Sequence, residues 1–170
     1  MTLLTLRTQR LVLRAPVPQD AAVIASALNN LNISRWLAVV PYPYTQEDAD
    51  WFIAEVSAGR LRARLIWQGD QFIGAIGIDD SLGYWLAEHA WGRGYATEAA
   101  KAVLTDFFAD PEQIAITASH MTANTPSAHL LHRLGFIGVG QIPITCAATG
   151  RTEQGRRMRL TRERWESLNA

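Results

Sequence analysis

The sequence predicts a mixed α/β fold: one mostly antiparallel sheet with a parallel strand pair and helices on both faces. Two observations carry this. Residues 60–88 read as three short strands in quick succession, joined by turns at Gly69-Asp70 and Asp79-Asp80-Ser81. The period then changes. Apolar residues at Ala96, Ala99, Ala100, Val103, Leu104, Phe107 and Phe108 recur at helical spacing, and another strand-like run follows at Gln113–Ser119. Strand 82–88, helix and strand 113–119 form a crossover unit, which makes the two strands parallel.

The remaining elements follow in order. Leu6 to Leu13 alternates imperfectly and reads as one strand, ended by Pro16 and Pro18. Asp20 can cap a helix running to about Asn29. Pro41-Tyr42-Pro43-Tyr44 is a rigid extended loop. Thr45 then caps a second helix, with Asp48 three residues on and Trp51, Phe52 and Val56 as its buried stripe. Asn124-Thr125-Pro126-Ser127 opens a helix whose core stripe is Leu130, Leu131 and Leu134, and Gly135 ends it. Phe136–Ile144 and about Arg156–Leu160 make a final strand pair around a Thr-Gly turn. The order is β-α-α-β-β-β-α-β-α-β-β.

Composition narrows the function. The chain has 170 residues, 48% apolar and 19% charged, which is globular and predicts one domain over 1–170. Sixteen Lys+Arg balance sixteen Asp+Glu, so no basic face is expected for nucleic acid. No apolar run is long enough to span a membrane, and Met1 to Arg7 lacks the apolar core of a signal peptide, so a cytoplasmic protein is expected. Cys146 is the single cysteine, which excludes an internal disulfide and a multi-Cys metal site. His129 and His132 share a helix face without a third ligand, so no metal is expected. Arginines at 151, 156, 157, 159, 162 and 164 outnumber Glu153 and Glu163. In a strand, Arg157 and Arg159 share a face and Arg156 takes the other. Two readings are open: a charge-protected edge strand, or a patch for an anion or acidic partner.

The most informative segment is Trp91-Gly92-Arg93-Gly94-Tyr95-Ala96-Thr97-Glu98. It joins a strand to a helix N-terminus, where unpaired N–H groups and the positive dipole end favour phosphate. Gly92 and Gly94 open backbone angles closed to other residues, Arg93 adds charge, Ala96 keeps the helix start small and Thr97 offers a hydroxyl. A Walker loop does not fit, because no Gly-Lys-Ser/Thr is present. A dinucleotide fingerprint fits poorly, because an antiparallel meander precedes the loop.

Residues 91–99, Trp-Gly-Arg-Gly-Tyr-Ala-Thr-Glu-Ala, resemble the pyrophosphate loop of the GNAT superfamily of acyl-CoA N-acyltransferases. The resemblance is strongest to the Rim-type branch, which acetylates ribosomal-protein N-termini. It extends to Thr8–Arg14, Pro41–Thr45, Asn124–Ser127 with Leu134-Gly135-Phe136, and Leu160–Trp165. It implies the GNAT fold, a splayed parallel strand pair and acetyl-CoA as donor. It further implies pantetheine paired with backbone at Leu86 and Ala87, and pyrophosphate held by backbone from Trp91 through Thr97. Asn124 is then either a helix cap or a cofactor contact.

The resemblance implies direct attack of an amine on the thioester, with an oxyanion donor near the Leu86 amide. In many relatives a Tyr protonates the departing thiolate, but that position here is Leu131, which cannot. In the Rim-type branch a Ser can serve, which makes Ser127 the candidate acid, with a helix-capping role as its alternative. Candidate bases are Glu88, Glu98 and His89, with Glu98 equally suited to its helix N-terminus. The first acceptor to consider is a protein N-terminal amine, because an α-amine is about 10% neutral at pH 7. Alternatives are a small amine such as an antibiotic or polyamine, or a CoA-binding module without turnover. A polycation would want a carboxylate-lined pocket, with Glu47, Asp48, Asp50 and Glu55 as candidates. Trp36, Trp51, Tyr42 and Tyr44 are either core residues or acceptor-pocket residues. A homodimer is plausible from the resemblance alone.

Overall fold

The computed structural model describes residues 3–170, so Met1 and Thr2 of the N-terminal stretch lie outside the described residues. The strands are β1 (Leu6–Arg7), β2 (Val12–Arg14), β3 (Ala63–Gln68), β4 (Gln71–Ile78), β5 (Ser81–Leu86), β6 (Ala115–Met121), β7 (Ile137–Thr145) and β8 (Thr152–Thr161). The helices are α1 (Ala21–Leu28), α2 (Leu31–Ser34), α3 (Gln46–Ser57), α4 (Tyr95–Ala109), α5 (Thr125–Arg133) and α6 (Arg162–Asn169). Short 3-10 turns cover Pro18–Asp20 and Glu88–Ala90. The strands form one sheet in the order β1-β2-β3-β4-β5-β6-β8-β7, antiparallel except for β5 beside β6.

Alternation along the strands sorts side chains onto two cores. One face carries Leu82, Ile116, Ala118, Met158 and Leu160 and packs on α4, α5 and α6. The opposite face carries Leu65, Phe72 and Ala75, flanked by Trp85, and packs on α1, α2 and α3. Among the described residues, the second core draws none from β6, β7 or β8.

Several details depart from the sequence expectation. The run 6–13 is a hairpin, with Leu6 opposite Leu13, because Thr8 N–H donates to Leu11 O and turns the chain. Asp20 does not cap α1; its carboxylate takes two bonds from Arg14 and one from the Val17 amide. Thr45 and Asp48 do form the expected reciprocal cap on α3. However, Trp51 is 62% exposed, and the buried stripe is Ala49, Ile53 and Val56, with Phe52 half-buried. Helices α2 and α6 were not expected. The latter is anchored by Arg162 on the carbonyls of Phe108, Asp110 and Gln113, and by Arg164 on Gly135 O. Two of the clustered arginines are therefore structural. The arginine-bearing strand β8 is interior, and β7 forms the edge. Among the described residues, no helix is long and apolar enough to cross a membrane.

Candidate active site

Strands β5 and β6 are paired only at Ser81–Thr117 and Leu82–Ala118. Beyond that point β5 follows β4 as far as Leu86, while β6 follows β8 as far as Met121. The two strands therefore splay, leaving a V-shaped gap between Gly83–Leu86 and Ser119–Met121. Antiparallel pairing turns alternate residues toward opposite neighbours. Ala87 N–H donates to Ile73 O, so Leu86 and Tyr84 turn their backbone groups toward the gap. Such an unpaired edge can accept an amide-bearing ligand as a further strand.

Ala87 itself does not present a free group to the gap. Its amide is on Ile73 O and its carbonyl accepts from Ala90 N–H, which closes the 3-10 turn. Leu86 O accepts from the Trp91 indole at 3.0 Å, leaving the Leu86 amide to face the gap beside the backbone groups of Tyr84.

The glycine loop lies at the α4 N-terminus. Gly92 and Gly94 have φ of 72° and 77°, the left-handed region that favours glycine. The Trp91 amide is occupied, because it donates to Glu88 O, so the expected row of free amides begins one residue later. Among the described residues, the amides of Gly92, Arg93, Gly94, Tyr95, Ala96 and Thr97 have no hydrogen-bond partner, and Glu98 N–H is the next one satisfied, by Gly94 O. This loop is braced from behind. Arg10 donates to Arg93 O at 3.0 Å and to Glu98 Oε2 at 2.7 Å, and its guanidinium lies over the Tyr95 ring. Tyr95 is buried, with its hydroxyl on Gln68.

The brace decides the role of Glu98. Its carboxylate also accepts from the Thr8 hydroxyl at 2.6 Å and the Arg10 amide at 2.9 Å. Burial acts to raise its pKa, but these bonds outweigh burial and hold it below the usual carboxylate range. A fully bonded, acidic carboxylate is a poor base, so Glu98 is a structural brace. His89 donates from Nε2 to Phe72 O, since a carbonyl only accepts, and only Nδ1 keeps a lone pair. Glu88 is exposed, and both its oxygens are held by α2: Asn30 Nδ2 reaches Oε2 at 2.7 Å and Asn32 Nδ2 reaches Oε1 at 3.1 Å. Asn30 also caps that helix through the Asn32 amide, so the cap and the carboxylate are positioned together.

On the other side of the gap, Asn124 caps α5, its side-chain oxygen accepting from the Ser127 amide at 3.3 Å. The Ser127 hydroxyl is 2.6 Å from the hydroxyl of Tyr84. Sequence reasoning missed Tyr84. Its strand was legible, but its partner is 43 residues away in the chain, and only the fold brings them together. Burial pushes the Tyr84 phenol up to about 12, with the Ser127 bond acting in the opposite direction, so it stays protonated at neutral pH. Leu131 is buried in the core behind this pair. On the face covered by α1 to α3, the turn after β7 meets the segment after α2, with Ala147 N–H on Ala38 O and the buried Cys146 thiol facing Ser34 O. Tyr44 is buried in the core of that face, while Tyr42 and Trp51 are exposed.

The arrangement combines a row of unpaired amides for an anion, a splayed edge for an extended amide ligand, and a hydroxyl pair beside both. A family model described as the acetyltransferase (GNAT) domain matches residues 10–137. The uncharacterized N-acetyltransferase p20 of Bacillus licheniformis is 28% identical over 146 residues, covering 78% of this chain and 82% of its own. A GNAT-family acetyltransferase from Bacillus anthracis has the same fold, with TM-score 0.83 at 18% identity over 94% of this chain and 99% of its own. Mycobacterium smegmatis RimJ, solved with CoA-disulfide, has TM-score 0.76 at 23% identity over 94% of this chain and 86% of its own. The splay, the glycine loop and the family match describe one enzyme class: the chain belongs to the GNAT family of acetyltransferases, which take their acetyl group from acetyl-CoA.

Proposed function

We propose that the chain acetylates a protein N-terminal α-amine, as the Rim-type branch does. The observation that carries the cofactor part is the unpaired run of amides from Gly92 to Thr97 at the head of α4, beside the β5–β6 splay. Those amides, with Arg93, hold the pyrophosphate; the Leu86 amide pairs with the pantetheine arm, and Asn124 borders its path. Bound acetyl-CoA supplies the thioester carbonyl.

The chain's own groups act on that carbonyl and on the acceptor. The Leu86 amide donates to the oxyanion that forms when the amine attacks. Ser127 donates a hydrogen bond to the departing thiolate, and Tyr84 supports it by donating into Ser127 Oγ. Glu88, held on the α2 side, orients the incoming amine, which attacks in its neutral form; the proton that the amine sheds as the amide forms neutralises the departing thiolate by way of Ser127. An α-amine suits a site whose carboxylates are otherwise bonded, since it requires less deprotonation than lysine. A relative named a putative ribosomal N-acetyltransferase, YdaF of Bacillus subtilis, supports this acceptor over a small amine.

Calorimetric titration with acetyl-CoA and CoA tests the cofactor reading, with saturable micromolar binding expected; no binding up to millimolar overturns it. Thiol release with peptides bearing a free N-terminus, against the same peptides blocked and against small amines, tests the acceptor. Release that tracks the free α-amine is expected; turnover of polyamines alone replaces this reading.

A further inference from the structure

We infer that the acceptor is acidic close to its amine, and that Arg157 and Arg159 recognise it; this rests on the acetyltransferase reading above. On β8 the buried residues Met158 and Leu160 face the α4–α6 core, so Arg157 and Arg159 point to the opposite face. That is the face Trp85 shares with α1 to α3, and the side on which Glu88, assigned above to the acceptor, meets α2. Both guanidiniums are exposed, and among the described residues neither has a hydrogen bond or ion pair. Arginine is only weakly hydrated and suited to paired bonds with carboxylate or phosphate.

The surroundings give this charge its place. Arg157 lies opposite Ser119, the residue where β6 has left β5, and opposite Gly140 on β7. Gly83 of β5 belongs to the same face, and a Cβ built at Gly83 or at Gly140 meets nothing within 4 Å. At the mouth of the splay the sheet therefore forms a shallow trough of small residues with one guanidinium rising from it. Arg159, opposite Thr117 and Ile137, is the next step along the same trough. The nearest acid on that face of β8 is Glu153, farther out on the hairpin opposite Ile144. Glu88 at the other side is held by Asn30 and Asn32. A chain whose amine enters the gap would lay its next residues over this trough, where carboxylates meet unpaired arginines and lysines meet repulsion.

The test uses three peptides with one free Ser-Ala N-terminus, followed by three acidic, three neutral or three basic residues. Rates are read by thiol release, and affinity by anisotropy of the same peptides labelled at their C-termini, with CoA present. Wild type is expected to favour the acidic over the neutral peptide about tenfold in kcat/KM and in affinity, as two exposed ion pairs allow. The Arg157→Gln/Arg159→Gln double variant is expected to lose that preference while KM for acetyl-CoA and the neutral-peptide rate stay within about twofold. Arg133→Gln, an exposed charge on α5, is expected to keep the preference. Raised salt is expected to reduce it. Equal use of acidic and neutral peptides, or a preference that survives the double variant, overturns the inference. Selective acidic-peptide binding without thiol release would instead overturn the transferase reading and leave the recognition surface standing.

Discussion

The hydroxyl of Tyr84 on β5 lies 2.6 Å from that of Ser127 in the first turn of α5, joining the two elements across the splayed gap. Only one of the two hydrogens can lie between the oxygens. If Tyr84 donates, the Ser127 hydrogen is free to point at a leaving thiolate. A phenol is more acidic than an alkyl hydroxyl and the better donor, which favours this arrangement, and burial keeps Tyr84 protonated.

Ser127→Ala is therefore expected to lower kcat by about 10²-fold with the Kd for acetyl-CoA nearly unchanged. Tyr84→Phe is expected to lower kcat about tenfold, the usual value of one such bond, without raising KM for acetyl-CoA. The double variant should be no slower than Ser127→Ala alone, because the two hydroxyls act as one unit. Additive losses in steady-state kinetics would show that they act separately.

The Glu98 brace makes a prediction about pH. Its folded pKa lies below its unfolded value, so its contribution to stability is present above the unfolded pKa and lost as pH falls through the folded one. The melting temperature of Glu98→Gln is expected to fall below wild type at pH 7, with the gap closing below about pH 4. Equal melting curves at pH 7 would remove the brace from the account.

Arg10 holds the loop through Arg93 O and Glu98 and lies over the Tyr95 ring. Arg10→Ala is expected to weaken acetyl-CoA binding about three- to tenfold, by releasing a loop whose amides must stay aligned. Gly94→Ala should weaken it further, since φ of 77° costs an L-residue about 1–2 kcal/mol and that cost falls where the ligand binds. Calorimetry on the two variants gives the order directly.

His120 is buried at 5% exposure, with Nδ1–H donating to Met121 O and, among the described residues, no partner for Nε2. An unsatisfied buried nitrogen costs about 1–3 kcal/mol. His120→Leu is expected to raise the melting temperature by several degrees in differential scanning calorimetry; destabilisation would mean that Nε2 has a partner in solution.

The sequence determined whatever depends on local pattern. The meander, the crossover helix, the Thr45 cap and the positive-φ glycines of the loop before α4 all follow from residues near one another in the chain. So does the resemblance that named the family. The roles of Glu98 and Ala87 did not follow. Their carboxylate and backbone groups look free in sequence, but Thr8, Arg10 and Ile73 reach them from elsewhere in the fold. The α2 turn was equally hidden, since four residues carry too little periodicity to read. Tertiary structure alone decided which polar groups remain unpaired: it joined Tyr84 to Ser127, tied Glu88 to Asn30 and Asn32, and left Arg157 and Arg159 bare. The reason is physical. Propensity and periodicity are properties of neighbours along the chain, whereas hydrogen-bond satisfaction belongs to atoms that meet only when the sheet closes.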